Sequence, residues 1–280
     1  MKLFENRNLL IVTKHGKEAV LQPVLESNLK VKCYVNTLLD TDTFGTFSGE
    51  IDRKDDALTT LKKKCLASML FYNADLAVAS EGSFGPHPSA FFASADDELV
   101  ILIDVKNKLE IIGRKVSFET NFASLECSDL DSFMKFLKQV KFPSHKVILK
   151  TPAENDVEVH KDIATFEEAI AVFELLVKKF GKVYAETDMR AMNNPSRMYI
   201  IEQAAENLVE KITSLCPECK MPGFSVSSAI PGLQCSSCHL PTKSTLYHLI
   251  LCSKCQYSEQ NYFPSGASFE DPMYCDNCNP

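Results

Sequence analysis

Eight of the eleven cysteines fall in the last 65 residues, where they form four C-x-x-C pairs. The pairs are Cys216/Cys219, Cys235/Cys238, Cys252/Cys255 and Cys275/Cys278. A C-x-x-C turn lets both thiolates reach one tetrahedral Zn²⁺, and two such turns complete a four-cysteine site. The intervals of 15 residues between the first two pairs and 19 between the last two are typical of zinc ribbons. We therefore predict a double zinc-ribbon domain with two structural zinc ions.

Four cysteine pairs can share two metal ions in more than one way. Consecutive pairing puts the first two pairs on one metal and the last two on the other, which gives two stacked ribbons. Interleaved pairing gives a cross-braced module of the kind found in RING-type domains. Because each interval suits a hairpin, we predict consecutive pairing, with interleaved pairing as the alternative. The segment ending in Cys238 and His239 also matches a haem-attachment pattern, but the three companion pairs favour zinc.

Composition and charge argue against membrane proteins and against nucleic-acid-binding proteins. The net charge of −7 argues against broad electrostatic attraction to nucleic acid or to an anionic membrane. No apolar run approaches the ~20 residues of a membrane span, and the charged start, residues 1–7, is unlike a signal peptide. We predict a soluble cytoplasmic protein with neither a membrane nor a nucleic-acid partner. In that reducing compartment, paired cysteines bind metal more often than they form disulfides.

Upstream of the cysteines, strand-like and helix-like segments alternate, which predicts an α/β fold. The apolar run at residues 8–13 is typical of a buried parallel strand. Residues 99–105 and 109–116 predict an antiparallel hairpin around a tight turn. The predicted fold class is α/β, with a mainly parallel mixed sheet flanked by helices, followed by a small Cys-rich zinc-ribbon domain.

A long helix is predicted to join the two parts of the chain. Asn194 followed by Pro195 is a helix start, because Asn caps free N–H groups and Pro fits the first helical position. Apolar residues then recur every three or four positions up to Leu215. The predicted domains are an α/β domain over residues 1–194, a connecting helix over 195–215 and the double zinc ribbon over 216–280.

Polar segments accompany the predicted strands of the α/β domain. These segments are residues 13–17, 40–50, 80–88, 119–121 and 186–197. In an open α/β sheet, the loops at the carboxyl ends of parallel strands converge on one crevice. Carboxylates around a divalent cation, with lysine and arginine nearby, are suited to phosphoryl or pyrophosphoryl hydrolysis. We therefore predict that these segments share an active site.

The candidate site residues carry three kinds of chemistry. The predicted ligands of Mg²⁺ or Mn²⁺ are Glu50, Glu81 and Asp188. The predicted phosphate contacts are Lys14, Lys17, Arg190 and Arg197, and the predicted proton shuttles are His87 or His145. The alternative is structural: Glu50 is a solvated loop charge, Arg190 and Arg197 pair with Glu186 and Asp188, and His145 is a satisfied buried histidine. Glu81 is the favoured candidate, because it lies in a glycine-rich polar segment.

Three function classes are compatible with these features. The leading hypothesis is a metal-dependent hydrolase that acts on a nucleotide-like or other phosphorylated small molecule, with structural zinc ribbons. The first alternative is a non-enzymatic adaptor whose zinc ribbons bind a protein partner. The second is nucleic-acid binding by aromatic side chains of the ribbons, which the acidic C-terminal region disfavours.

The chain also resembles a bacterial family of unknown function. The motifs that carry the resemblance span nearly the whole length, and all are specific. They are Thr-Lys-His-Gly-Lys-Glu at 13–18, Gly-Thr-Phe-Ser-Gly-Glu at 45–50, Ser-Glu-Gly-Ser-Phe-Gly-Pro-His-Pro at 80–88, Phe-Pro-Ser-His at 142–145, Thr-Asp-Met-Arg-Ala-Met-Asn-Asn-Pro-Ser-Arg at 187–197 and the four cysteine pairs. This resemblance implies no activity.

Residues 8–85 are similar, in the order of their elements, to the inosine/xanthosine triphosphate pyrophosphatase superfamily. The shared elements are the turn at 13–17, the acidic loop ending at Glu50, a lysine-rich helix and the segment 79–82. Those enzymes cleave nucleoside triphosphates with a basic residue at the first turn and acidic residues on Mg²⁺. The resemblance therefore implies these roles for Lys17, Glu50 and Glu81. The zinc-ribbon region has no counterpart in that superfamily.

Overall fold

The computed structural model describes residues 2–35, 56–87, 90–151 and 158–280, and for residues 90–92 it describes the backbone alone. These residues divide into two compact units, Met1–Val209 and Glu210–Pro280, called here the first and second units. The division lies within the connecting helix predicted over residues 195–215. Among the described residues, no helix combines the length and the apolar character needed to cross a membrane.

The first unit contains a five-stranded mixed sheet. Its strands are β1 Asn8–Val12, β2 Lys32–Val35, β3 Leu76–His87, β4 Ala90–Asp104 and β5 Leu109–Ser117. Their order across the sheet is β2-β1-β3-β4-β5. β1 is parallel to β2 and to β3, whereas β3, β4 and β5 form an antiparallel meander. The predicted hairpin at residues 99–116 is confirmed as part of β4 and β5.

Two helices connect the parallel strands of this sheet. α1 Glu18–Leu29 follows β1, and α2 Ala57–Tyr72 precedes β3. α2 begins where the Asp56 carboxylate accepts a hydrogen bond from the Thr59 N–H at 3.0 Å. Its apolar side packs on the sheet in a buried cluster of Leu10, Val12, Leu61, Cys65, Met69, Ala77, Ala79, Ile101 and Ile103. The sheet face that carries Ala77 and Ala79 is therefore the face that α2 covers.

The first unit also contains a four-stranded antiparallel sheet with its own core. Its strands are β6 Ser124–Cys127, β7 Val147–Lys150, β8 Val159–His160 and β9 Val183–Thr187, in the order β6-β9-β7-β8. The helices α3 Leu130–Gln139 and α4 Phe166–Phe180 cover it, with the rings of Phe133 and Phe173 stacked at 4.6 Å. The predicted cap of α4 is confirmed, since Thr165 accepts from the Glu168 N–H at 3.2 Å.

The long helix α5 Pro195–Thr213 is confirmed, and it lies against β5. The Asn194 side chain accepts a hydrogen bond from the Arg197 N–H at 3.1 Å, which caps the helix as predicted. A Cβ atom on Gly113 of β5 would lie 2.3 Å from the Ala204 carbonyl oxygen. Glycine is therefore needed at this position for the two backbones to approach so closely.

The predicted α/β fold with a mixed sheet flanked by helices is confirmed, but it differs from the prediction in two respects. The parallel pairing is confined to β1 and its two neighbours, and the strands divide between two sheets. The segment 80–88 was predicted as a polar loop, yet residues 80–87 continue β3. The prediction was wrong because β4 pairs with this segment residue by residue, for example Gly82 with Glu98. β4 follows β3 directly in the chain, but the polar, glycine-rich composition of residues 80–88 does not indicate a strand.

The second unit is built on a three-stranded antiparallel sheet. Its strands are β10 Ser225–Pro231, β11 Thr245–Leu251 and β12 Ser258–Tyr262, in the order β10-β11-β12. Its buried cluster is small and consists of Cys216, Phe224 and Cys252, with three partly buried neighbours. A core of this size contributes little hydrophobic stabilisation, so other interactions must hold the unit together.

Candidate metal centres and a buried charge cluster

The eight paired cysteines of the second unit converge into two clusters of four. One cluster is Cys216, Cys219, Cys252 and Cys255, and the other is Cys235, Cys238, Cys275 and Cys278. Sulfur pairs within them lie 3.6–3.8 Å apart. A tetrahedral zinc site with bonds of about 2.3 Å has sulfur–sulfur edges of about 3.8 Å. Both clusters therefore have the ligand type and the spacing of a four-thiolate metal site, and two metal ions could be bound.

The pairing of the clusters is interleaved, so the prediction of consecutive pairing was wrong. The physical reason is the direction of the strands. β10 carries the chain from the first cysteine pair to the second, and antiparallel β11 carries it back, which brings the third pair beside the first. β12 reverses again and brings the fourth pair beside the second. The hairpin-length interval between two successive cysteine pairs therefore connects one metal site to the other and does not close a single site.

All four cysteine pairs sit on turns of one shape. In each, the N–H of the residue after the second cysteine donates to the carbonyl of the first at 2.9–3.0 Å, as Lys220 does to Cys216. Lys220, His239 and Gln256 occupy this place with positive φ angles of 58°, 58° and 64°. His239 is therefore a turn residue beside its cluster, as predicted, and its ring lies against Phe269.

In the first unit, six charged side chains are buried together and are called here the charge cluster. Lys17 precedes α1, Lys64 is on α2, Glu81 is on β3, Asp96 and Glu98 are on β4, and Arg197 is in the first turn of α5. Each is less than 9 % exposed. Charged side chains are seldom buried to this extent unless they are paired, so this set needs a physical or functional reason.

The three cations of the charge cluster meet carboxylates and backbone carbonyls. Lys17 Nζ and Lys64 Nζ both donate to the Ser80 carbonyl oxygen, at 3.3 and 2.6 Å, and Lys64 also pairs with Glu81. Arg197 Nε donates to Glu98 Oε1 at 2.6 Å. Burial, together with the neighbouring Arg197 charge, lowers the pKa of Lys17 to about 7. Lys17 is therefore poised to gain or lose its proton near neutral pH.

Oxygen atoms on the acidic side of the charge cluster have few hydrogen-bond partners. Within the described residues, the hydroxyls of Thr13 and Ser80 have no hydrogen-bond partner, and Asp96 Oδ1 and Glu98 Oε2 meet no donor other than the proton that the two carboxyl groups share. Burial, and then the charge of Glu98, raises the pKa of Asp96 to about 8. Buried polar groups without partners are rare in native proteins and often mark a place for a ligand, an ion or water.

Three of the predicted site residues belong to this cluster, and three members were missed. Lys17, Glu81 and Arg197 were predicted, although Arg197 pairs with Glu98 rather than with Glu186 or Asp188. Lys64, Asp96 and Glu98 were not predicted. Asp96 and Glu98 lie within β4 on either side of Asp97, and because three acidic residues stand in a row, the sequence shows no alternation that marks these two as buried. Gly82 faces them, because a Cβ there would lie 2.3 Å from Glu98 Oε1.

Asp188 and Arg190 form a separate ion pair in the first unit. Asp188 is fully buried and accepts hydrogen bonds from Arg190 Nη2 at 2.6 Å and from Asn193 Nδ2 at 2.8 Å. This confirms the structural alternative for Arg190. A cation bound to Asp188 would have to displace these donors. Among the described residues, the groups of three or more side chains that could hold a metal are the two cysteine clusters, so Glu81 and Asp188 belong to no such group, and Glu50 lies outside the described residues. The predicted divalent-metal ligands and the catalytic roles of Asp188 and Arg190 stay predictions.

The two candidate histidines are held by different contacts. The His87 ring, at the end of β3, stacks on Phe118 with 4.1 Å between ring centroids. The Ser196 N–H donates to His145 Nε2 at 3.2 Å, so the proton of the neutral ring is on Nδ1, which donates to Ser144 at 3.0 Å. Burial lowers the pKa of His145. The alternative of a satisfied structural histidine is therefore confirmed for His145, and a proton-shuttle role for His87 stays a prediction.

Replacing Asp96 with asparagine should change how stability depends on pH. The unfolded chain releases the Asp96 proton near pH 3.8, whereas the folded chain keeps it to about pH 8. The contribution of Asp96 to stability is therefore complete in acid and falls as the pH rises between these values. Asparagine does not ionise. The free energy of unfolding of Asp96→Asn, relative to that of wild type, should therefore increase by about 2 kcal/mol as the pH rises from 6 to 8.

Urea unfolding of both proteins, followed by circular dichroism between pH 6 and 8, measures this gain. Asp97→Asn is the matched control for removing a carboxylate from β4, because Asp97 points away from the charge cluster and pairs with Arg114. Equal pH slopes for wild type and Asp96→Asn would mean that Asp96 is ionised in the folded chain at neutral pH.

A family model described as a domain of unknown function, DUF6671, matches residues 64–280. The chain belongs to this family. The part matched by DUF6671 includes both cysteine clusters and every member of the charge cluster except Lys17. This confirms the resemblance to a family of unknown function. No curated protein and no solved structure matches the chain, so the similarity to triphosphate pyrophosphatases stays a prediction.

Proposed function

We propose that the first unit hydrolyses a phosphorylated small molecule, with a divalent cation bound at the charge cluster. The observation that supports the proposal is the burial of three cations with three carboxyl groups, of which Asp96 and Glu98 share a proton and accept no other hydrogen bond at Asp96 Oδ1 and Glu98 Oε2 in the described part of the chain. Buried charges with incomplete pairing and shifted pKa values are characteristic of ligand and active sites.

In this proposal, the cations and the carboxyl groups of the charge cluster have different roles. Lys17 and Arg197 hold the phosphate, and an anion at this place raises the pKa of Lys17, so that Lys17 becomes fully charged. Lys64 and Glu81 lie on the opposite face of β3, against α2. Asp96 and Glu98 lie two residues apart on β4 and therefore on the same face, where their oxygens suit Mg²⁺ or Mn²⁺. The bound cation would polarise the phosphoryl group and lower the pKa of a water molecule. Glu81 positions Lys64 through their ion pair.

The test is the release of phosphate or pyrophosphate from nucleoside phosphates and sugar phosphates, with and without Mg²⁺ or Mn²⁺. Release should require the divalent cation, and Lys17→Met should lower kcat/KM about 100-fold, because a preorganised charge is lost. Lys62→Met is the matched control, since Lys62 is also a lysine in an ion pair but is partly exposed on α2. If folded protein with intact metal centres releases neither product from any substrate, the proposal is wrong.

A second candidate function is binding of a protein partner by the second unit. Large apolar side chains of this unit are strongly exposed, including Phe269, Met273 and Tyr274 at 50 %, 59 % and 63 %. Exposed aromatic and methionine side chains are enriched in protein interfaces. An inactive first unit, together with a partner whose binding is lost in Met273→Ala and Tyr274→Ala, would favour this adaptor function.

A further inference from the structure

A pocket in the first unit lies beside the charge cluster. Its cavity volume is about 120 Å³, and the cavity is partly open to solvent. Three aromatic side chains line it, Phe84 from β3, Phe122 before β6 and Tyr184 from β9. Glu186, Asp188 and Arg190 provide its polar wall. Pockets that combine aromatic walls with a few charged groups are the usual form of small-molecule sites.

The aromatic wall offers a surface for stacking. The rings of Phe84 and Phe122 are themselves stacked, with centroids 5.6 Å apart and planes 26° from parallel. Phe122 is 42 % exposed, so a large part of its side chain is accessible. Planar heteroaromatic rings stack readily on such side chains.

The polar wall offers hydrogen bonding at the edge of such a ring. Glu186 Oε1 pairs with Lys150 at 2.6 Å, which fixes the carboxylate at the pocket. Burial raises the pKa of Glu186. A carboxylate at this place can accept a hydrogen bond from a ring N–H or an exocyclic amine, which nucleobases present at their edges. Because Arg190 balances Asp188 and Lys150 balances Glu186, the wall favours a neutral polar ring over a charged one.

Arg197 of the charge cluster contacts two residues that line the pocket. The Arg197 guanidinium carbon lies 5.1 Å from the centroid of the Phe84 ring, which also lines the pocket. Arg197 Nη1 donates to the carbonyl oxygen of Met189, another lining residue. A ligand whose ring is in the pocket therefore has a cation of the charge cluster as its near neighbour.

We infer that this pocket binds the base of a nucleotide, by stacking on Phe122 and by a hydrogen bond to Glu186. The substrate class of the first unit is then the nucleoside phosphates rather than the sugar phosphates. The placement of the phosphate at the charge cluster rests on the proposed function, whereas the binding of the ring rests on the pocket alone.

Calorimetric titration of the full, metal-loaded chain with guanosine, adenosine, cytidine and uridine tests the inference, because nucleosides lack the phosphate. At least one nucleoside should bind, and Phe122→Ala should weaken its binding about tenfold through the loss of stacking. Glu186→Gln should change the preference among the four bases. Phe118→Ala is the matched control, since Phe118 is an exposed phenylalanine that stacks on His87 outside the pocket.

The outcomes separate the inference from the proposed hydrolase. Failure of all four nucleosides to bind, with sugar phosphates still hydrolysed, overturns the inference and leaves the hydrolase. Nucleoside binding that depends on Phe122, without release of phosphate from any nucleotide, supports the inference and contradicts the hydrolase. Nucleoside binding that neither Phe122→Ala nor Glu186→Gln alters places the ligand elsewhere and overturns the inference.

Discussion

Replacing Cys216 and Cys252 together with serine should remove one metal ion per chain, whereas replacing Cys216 and Cys235 together should remove both. The reason is the interleaved pairing, which places Cys216 and Cys252 in one cluster and Cys235 in the other. A structural zinc site contributes on the order of 10–16 kcal/mol of binding free energy. Because the described core of the second unit is small, each lost ion should also unfold a large part of it.

The metal content of the purified variants, measured by elemental analysis, checks this prediction. Cys33→Ser is the control, because Cys33 belongs to neither cluster, and it should retain the wild-type metal content. The opposite pattern, with two ions lost from the Cys216/Cys252 variant and one from the Cys216/Cys235 variant, would show consecutive pairing. Circular dichroism of the same samples reports the loss of structure in the second unit.

Replacing Arg197 with methionine should lower the free energy of unfolding by about 3–5 kcal/mol. Arg197 and Glu98 both have fully buried side chains and are joined at 2.6 Å. Removing one partner of a buried ion pair leaves the other charge without compensation in a region of low dielectric constant. A second substitution, Glu98→Gln, removes that charge, so the double variant should recover most of the loss.

Urea unfolding followed by circular dichroism measures both variants. Arg114→Met is the matched control, because Arg114 forms a similar ion pair with Asp97 at 2.6 Å but has a half-exposed side chain. Arg114→Met should lower the free energy of unfolding by less than about 1 kcal/mol, because exposed ion pairs contribute little to stability. Equal losses for Arg197→Met and Arg114→Met, or no recovery in the double variant, would contradict the prediction.

Local sequence signals predicted most of the elements of this chain correctly. The Asp56 and Thr165 caps, the Asn194-Pro195 helix start and the β4–β5 hairpin depend on residues that are close in sequence. The same is true of the C-x-x-C turns, which follow from four consecutive residues. Such features need no knowledge of distant partners, and a single sequence is enough to predict them.

The errors and omissions concern contacts that the residue types of a single segment do not indicate. Nothing between residues 80 and 87 indicates that β4 will pair with this segment and turn a polar, glycine-rich stretch into a strand. Lys64 looks like one of several lysines on a helix, and its burial depends on Glu81 and Ser80. Glu98 is buried because Arg197, 99 residues away, neutralises it.

The sequence by itself determined that this protein has an α/β region and eight cysteines arranged for two metal ions. Residue types, short spacings and hydrophobic periodicity are sufficient for those conclusions. Only the tertiary structure decided which cysteines share a metal and which charges meet. The antiparallel course of β10, β11 and β12 interleaves the cysteine pairs, and the charge cluster forms where Lys17, Lys64 and Arg197 reach Ser80, Glu81 and Glu98 of β3 and β4. Both depend on contacts between segments far apart in the chain, which the order of residues alone does not reveal.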